Sequence, residues 1–291
     1  MSCVILDGPL GTELTKRGIA LPEPAWTAHA VDVAPDAVAE IHRAYDAAGA
    51  TVHTAATFRT QRRSVGRRWQ ELARLAVRIA RMSVGPQARI AGSLAPLEDC
   101  YRPDRSPGRA ARAEHRELAV ALADEGVDLF LCETFATAIE AVVAVEEAAR
   151  TGVETWVALT AGPNADLMSK AAALGAARDC VNAGARAVLV NCTPVAFTTE
   201  LISALASLPV PVGAYANAGG MSDGLGWSVE PQGAARRYAD FARRWVEDGA
   251  TMVGGCCGTG PAHIAELARA FARPGAALSP PQWTSRTSTR P

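Results

Sequence analysis

The chain has 291 residues, 49% of them hydrophobic, and 29 basic side chains stand against 30 acidic ones. That length supports one large core, and the near-neutral balance gives no overall field of the kind that draws a protein to nucleic acid or an anionic membrane, so small molecules are the expected partners. Seven cysteines without the spacing of a disulfide framework, no basic segment ahead of an apolar one at the N-terminus, and no apolar run near the ~20 residues that span a bilayer predict a cytoplasmic, reducing location.

In chain order, short apolar runs alternate with longer Ala-rich helical patterns, the signature of βαβ units and a parallel sheet. Strands are predicted at Cys3 to Asp7, Thr51 to Thr54, Arg89 to Leu94, Asp128 to Glu133, Thr155 to Ala161, Ala187 to Cys192, Pro211 to Tyr215 and Thr251 to Gly255. Helices are predicted between them, at Pro35 to Ala48, Trp69 to Ser83, Ala110 to Glu125, Thr137 to Arg150, Ala171 to Ala183, Phe197 to Ser207 and Gln232 to Asp248, with a last one from Pro261 to Ala272. Gly49, Gly126, Gly152, Gly184 and Gly249 each end a helix just before the next strand, where a left-handed cap turns the chain back. This punctuation favours a single closed (β/α)₈ barrel of the TIM type over residues 1–273. An open dinucleotide-binding sheet is the weaker alternative, since no Gly-x-Gly-x-x-Gly follows the first strand.

Two connections, Gly8 to Ala34 and Ala216 to Pro231, are long, follow strands, and carry Trp26 and Trp227 respectively; both read as loops over the catalytic face that could close as lids. The segment 274–291, rich in Pro, Ser and Thr, reads as a poorly ordered tail.

In such a barrel the C-terminal strand ends build the site. They hold Asp7, Thr54, Glu133, Asn191, Cys192 and the run Gly254-Gly255-Cys256-Cys257-Gly258. Adjacent cysteines on a regular strand would face opposite ways, so both serve one site only if the glycines bend the backbone. Cys192, Cys256 and Cys257 then form a soft-metal site, with Zn²⁺ the first candidate because three protein ligands leave a fourth position open. Plain buried cysteines and a redox pair are the alternatives. Asp7 and Glu133 suit an ammonium group, while Thr54 and backbone amides suit a carboxylate; Asn191 is grouped with them as substrate-binding. Together they describe a pocket for an amino acid whose side chain reaches a metal. The five histidines show no i, i+4 metal pair and read as structural or surface residues.

Asp7-Gly8-Pro9-Leu10-Gly11-Thr12-Glu13-Leu14, Cys132-Glu133-Thr134, Val190-Asn191-Cys192, Ala216-Asn217-Ala218-Gly219 and Gly254-Gly255-Cys256-Cys257-Gly258 occur in the order seen in the homocysteine S-methyltransferase family. From about residue 3 to residue 272 the chain resembles that family. The resemblance implies a (β/α)₈ barrel, Zn²⁺ on Cys192, Cys256 and Cys257, and Asp7 and Glu133 on the homocysteine amino group. It also implies a small-molecule thiol acceptor and a methyl donor. Trp26-Thr27-Ala28 and His53-Thr54-Ala55 look more like the branch that uses sulfonium donors, S-methylmethionine or S-adenosylmethionine, than the betaine branch. Pro9 departs from the usual Gly or Ala and removes an amide that could face a carboxylate. The expected activity is methyl transfer to homocysteine, giving methionine. Transfer to another small thiol or selenol, and a non-catalytic zinc- or thiol-binding barrel, are the alternatives.

Overall fold

In a parallel sheet both faces of a strand are covered, so its strands read as continuous apolar runs. The eight runs singled out above form the eight strands of the computed structural model, which describes residues 3–219, 225 and 230–271. The elements run β1 (Val4–Ile5), α1 (Leu10–Lys16), α2 (Thr27–Val33), α3 (Pro35–Ala47), β2 (Val52–Thr54), α4 (Arg62–Val65), α5 (Trp69–Ser83), β3 (Arg89–Leu94), α6 (Arg112–Asp124), β4 (Leu129–Phe135), α7 (Ala138–Ala149), β5 (Thr155–Leu159), α8 (Lys170–Ala183), β6 (Ala187–Pro194), α9 (Val195–Leu205), β7 (Val212–Asn217), α10 (Pro231–Glu247), β8 (Ala250–Val253) and α11 (Pro261–Phe271).

Every neighbouring pair is parallel, in the order β1-β8-β7-β6-β5-β4-β3-β2. The two ends of that order meet: Leu6 bridges to Val52, and the Asp7 amide donates to the Val52 carbonyl at 2.9 Å. The sheet therefore closes into the expected (β/α)₈ barrel. Alternation divides its side chains. Leu129 and Leu131 of β4 fill the barrel interior with Leu189, Trp156 and Met252, whereas Phe130 and Cys132 pack against the helix layer. The helices end as the sequence predicts, for example at Gly184, whose φ of 119° is the left-handed cap that returns the chain to β6.

The connection from Gly8 to Ala34 is not a plain loop, because α1 and α2 form within it. Both are short and lack a strong apolar stripe, so their stability comes from burial of Leu14, Ala28 and Val31 against the barrel, a tertiary effect that local pattern does not announce. The predicted lid between Ala216 and Pro231 lies mostly outside the described residues, and the tail 274–291 lies wholly outside them. Among the described residues no helix is long and apolar enough to cross a membrane.

Candidate active site

Strict alternation along β6 would turn Cys192 outward with Val188 and Val190, which pack in the helix layer. Cys192 instead joins the barrel interior, because its φ is 47° and the β6–β7 register shifts between Asn191 and Pro194. The end of β4 does the same: Thr134 has a φ of 65°, and the β4–β5 register shifts between Cys132 and Phe135. Non-glycine residues occupy this region only when their surroundings hold them there. Asn191 does the holding. Its Oδ1 accepts from the Thr134 amide (3.2 Å), and its Nδ2 donates to Thr134 Oγ1 (2.8 Å) and Cys192 Sγ (3.6 Å).

Beyond β8 the chain stays pinned between β7 and the end of β1. Gly254 N donates to Ala214 O (3.0 Å), Cys256 N to Ala216 O (3.0 Å) and Gly255 N to Asp7 O (3.2 Å). A Cβ on Gly255 would lie 2.2 Å from Thr259 Oγ1, which itself donates to the Cys256 carbonyl at 2.8 Å, so only glycine fits this approach. The bend brings Cys256 and Cys257 to one side, and with Cys192 they place three sulfurs within 4.8 Å of one another. Cys192 Sγ and Cys256 Sγ are the facing pair, at 2.7 Å.

Charge at the trio is unbalanced. Hydrogen bonds from Cys192 and Cys256 push the Cys257 thiol down to about 3. Cys192 is held well above the ordinary thiol value by the bonds it gives to the other two sulfurs and by burial; Cys256, despite its bond with Cys192, is raised by its bond to Cys257 and by burial. Ionisation is thus favoured at Cys257 over the other two sulfurs. Among the described residues the only side-chain donor to this cluster from outside it is the Asn191 amide. A soft cation is what would satisfy three thiolates held this close, and among the described residues no further His, Cys, Asp or Glu belongs to the group, which leaves a coordination position open.

Asp7 Oδ2 accepts from the Thr54 amide at 2.9 Å. Glu133 accepts from Ser93 Oγ (2.5 Å) on one oxygen and from Tyr215 Oη (3.0 Å) on the other. Burial raises both carboxyls above their ordinary values, against the hydrogen bonds that support ionisation, and Glu133 raises Asp7 further. Neither has a cationic side chain as partner among the described residues, so an ammonium placed between them would resolve the strain.

Behind Asp7, His42 and His53 are fully buried, their rings edge-to-face at 6.1 Å; the ring nitrogens of His42 have no hydrogen-bond partner among the described residues, while His53 Nε2 lies 3.5 Å from Asp46 Oδ1. Burial and His53 push His42 down to about 3, so it is neutral; burial lowers His53 as well, against the raising effect of Asp46. They lie with Asp7 in a second group of potential ligand atoms within 4.8 Å, a juxtaposition that the spacing of these residues does not reveal. His115 is held by Glu140, His263 by the Leu225 carbonyl, and no histidine lines the cavity.

One cavity of about 940 Å³ joins these groups, and Asp7, Thr54, Glu133, Cys192, Cys256 and Cys257 all line it. Asn191 does not; its amide is spent inside the protein, on Thr134 and Cys192. Thr54 lines the cavity, and both its amide and its side chain support Asp7. Tyr215, Trp26, Phe58, Arg59 and Tyr101 complete the walls and were not singled out as site residues in the sequence, apart from the tryptophan of the first long connection. Tyr215 could have been found, since it ends a predicted strand; the others sit on irregular segments. Trp26 and Phe58 meet edge-to-face at 5.3 Å.

Residues 4–271 match the family profile described as homocysteine S-methyltransferase. The chain belongs to the homocysteine S-methyltransferase family. It is 31% identical to the homocysteine S-methyltransferase of Escherichia coli (strain K12), over 91% of this chain and 94% of that one, and 29% identical to a Bacillus subtilis (strain 168) protein of the same name, over 93% and 94%. It is 28% identical to the selenocysteine methyltransferase of Astragalus bisulcatus, over 89% and 90%. The metallated crystal structure of the E. coli homocysteine methyltransferase MmuM superposes with a TM-score of 0.77 at 25% identity, covering 92% of this chain and 96% of that one. As a member of the homocysteine S-methyltransferase family the chain is a methyltransferase acting on small-molecule substrates, and its cysteine trio is a possible metal site.

Proposed function

We propose that this enzyme transfers a methyl group from a sulfonium donor, S-methylmethionine or S-adenosylmethionine, to the thiol of homocysteine, with Zn²⁺ held by Cys192, Cys256 and Cys257. The observation that carries this reading is the meeting of three sulfurs, two buried and one half-buried, with two buried carboxylates that have no cationic partner among the described residues, in one cavity. Zinc, when bound, supplies a Lewis acid that keeps a thiol ionised near neutral pH.

The protein's own groups supply the rest. Asp7 and Glu133 take the ammonium of homocysteine, and each is aimed by fixed donors, the Thr54 amide for the first and Ser93 and Tyr215 for the second. Asn191 acts as a positioning residue that keeps Cys192 turned inward. The aromatic wall of Trp26, Phe58 and Tyr101 excludes water and offers π faces to a sulfonium. In the reaction a carbon–sulfur bond forms to the acceptor sulfur as the donor's methyl–sulfonium bond breaks. The donor leaves as a neutral thioether and the thiol proton goes to solvent. No general base is needed, which agrees with a cavity that no histidine lines.

Methionine formation from homocysteine and each sulfonium donor tests the reading directly, with selenocysteine included as acceptor because a selenocysteine methyltransferase is among the similar proteins. Wild type should be active and Cys256→Ser at least about a hundredfold slower, at the upper end of what loss of metal support removes; undiminished activity in the variant refutes it.

A further inference from the structure

Arg59 is 8% exposed, yet among the described residues no carboxylate lies within ion-pair distance of its guanidinium. One of its nitrogens, Nη1, donates to the carbonyls of Pro96 (2.8 Å) and Glu98 (3.1 Å), and the group lies 5.0 Å from the Phe58 ring centroid. Among the described residues the remaining donors have no protein partner, and Arg59 lines the cavity. A buried guanidinium without an anion is costly, and its planar fork is matched to a carboxylate. The two other arginines on this wall differ from it: Arg63 is saturated by Glu98 and Glu114, and Arg105 is exposed.

Two features place the missing anion away from Asp7 and Glu133. A homocysteine whose ammonium sits between those carboxylates carries its own carboxylate on the same carbon, beside the strand ends that hold them. Arg59 is instead tied to the segment after β3, through the carbonyls of Pro96 and Glu98. The cavity, about 940 Å³, is also at the top of the roughly 300–1,000 Å³ range of small-molecule sites, with room for a second ligand beside the acceptor.

We propose that Arg59 anchors the carboxylate of the methyl donor in an outer subsite walled by Trp26, Phe58 and Tyr101, which makes this enzyme select donors that carry both an onium and a carboxylate. The assignment rests on the sulfonium-transfer reading above for its ligand, and on the buried guanidinium for its position. Phe58 serves both halves, stacked by Arg59 on one side and meeting Trp26 on the other.

The test is equilibrium binding to the full, metal-replete chain, followed by quenching of tryptophan fluorescence, with S-methylmethionine and its decarboxylated counterpart, (3-aminopropyl)dimethylsulfonium, as probes. Wild type should bind S-methylmethionine at least tenfold more tightly, and Arg59→Gln should abolish that preference. Arg59→Lys, which keeps the charge without the fork, should fall between. In turnover the Gln variant should raise the donor KM at least tenfold and leave the homocysteine KM unchanged. Equal binding of the two probes by wild type overturns the proposal without recourse to any variant, and so does a Gln variant that loses homocysteine affinity instead. If carboxylate-dependent binding holds but neither S-methylmethionine nor S-adenosylmethionine yields methionine, the transfer reading fails and the subsite stands.

Discussion

Cys192 shows how a single backbone angle makes a site. With ordinary extended geometry it would be one more buried residue on the helix side of β6; at φ 47° its sulfur faces Cys256. The sequence identified the three cysteines because they end apolar runs, but it could not show that one of them reaches the interior through a kinked backbone. Asp7 makes a complementary case. Its carboxyl is raised by burial and by Glu133, so its contribution to stability is present at low pH and is lost as pH rises through the raised folded-state value. Asp7→Asn still accepts the Thr54 amide and removes that penalty. The ligand-free variant should therefore melt at or above the wild-type temperature at pH 8, while homocysteine binding weakens by about 2–5 kcal/mol, the usual loss on truncating a buried charge pair. Thermal melts and calorimetric titration check both halves, and a variant that binds homocysteine normally contradicts the role given to Asp7.

At the scale of elements, the bulges ending β4 and β6 are joined by Asn191, which sequence reading had grouped with the substrate-binding residues. Asn191→Ala should leave the Thr134 amide buried without a partner, a loss of about 1–3 kcal/mol, and should weaken metal retention about 10–100-fold by freeing Cys192. Urea unfolding and metal competition with a chelator measure the two effects, and unchanged metal affinity would return Asn191 to a purely structural role. The packing of α3 on β2 carries a second prediction. His42 is neutral when folded, with its value pushed down to about 3, so its stabilising effect is complete above the unfolded value near 6.5 and fades as pH falls. The wild type should lose about 2 kcal/mol from this residue alone between pH 6.5 and 5, and His42→Leu should show a correspondingly shallower fall in melting temperature. Strands and long helices were legible because burial on both faces, or on one stripe, writes itself into periodicity. The helices α1 and α2 were not, because they are short and held by contacts with the barrel.

For the whole molecule, barrel closure turns a linear pattern into a pocket. Asp7 ends the run that begins with β1, and the cysteine pair follows β8, so the two extremes of the folded chain become neighbours because β1 pairs with β8 and Gly255 reaches the Asp7 carbonyl. The identity of the strand-end residues could be read in advance, whereas the wall of Trp26, Phe58, Arg59 and Tyr101 could not, because irregular connections carry no periodicity. The complete arrangement sets two buried carboxylates beside a cluster of sulfurs in one cavity. The most direct measurement of the account is zinc titration of chelator-stripped, reduced protein, following methionine formed from homocysteine and S-methylmethionine. The account predicts no activity without metal and a rise that saturates at one zinc per chain in wild type but is absent in Cys256→Ser. Full activity in the stripped protein, or equal recovery in the variant, would contradict it.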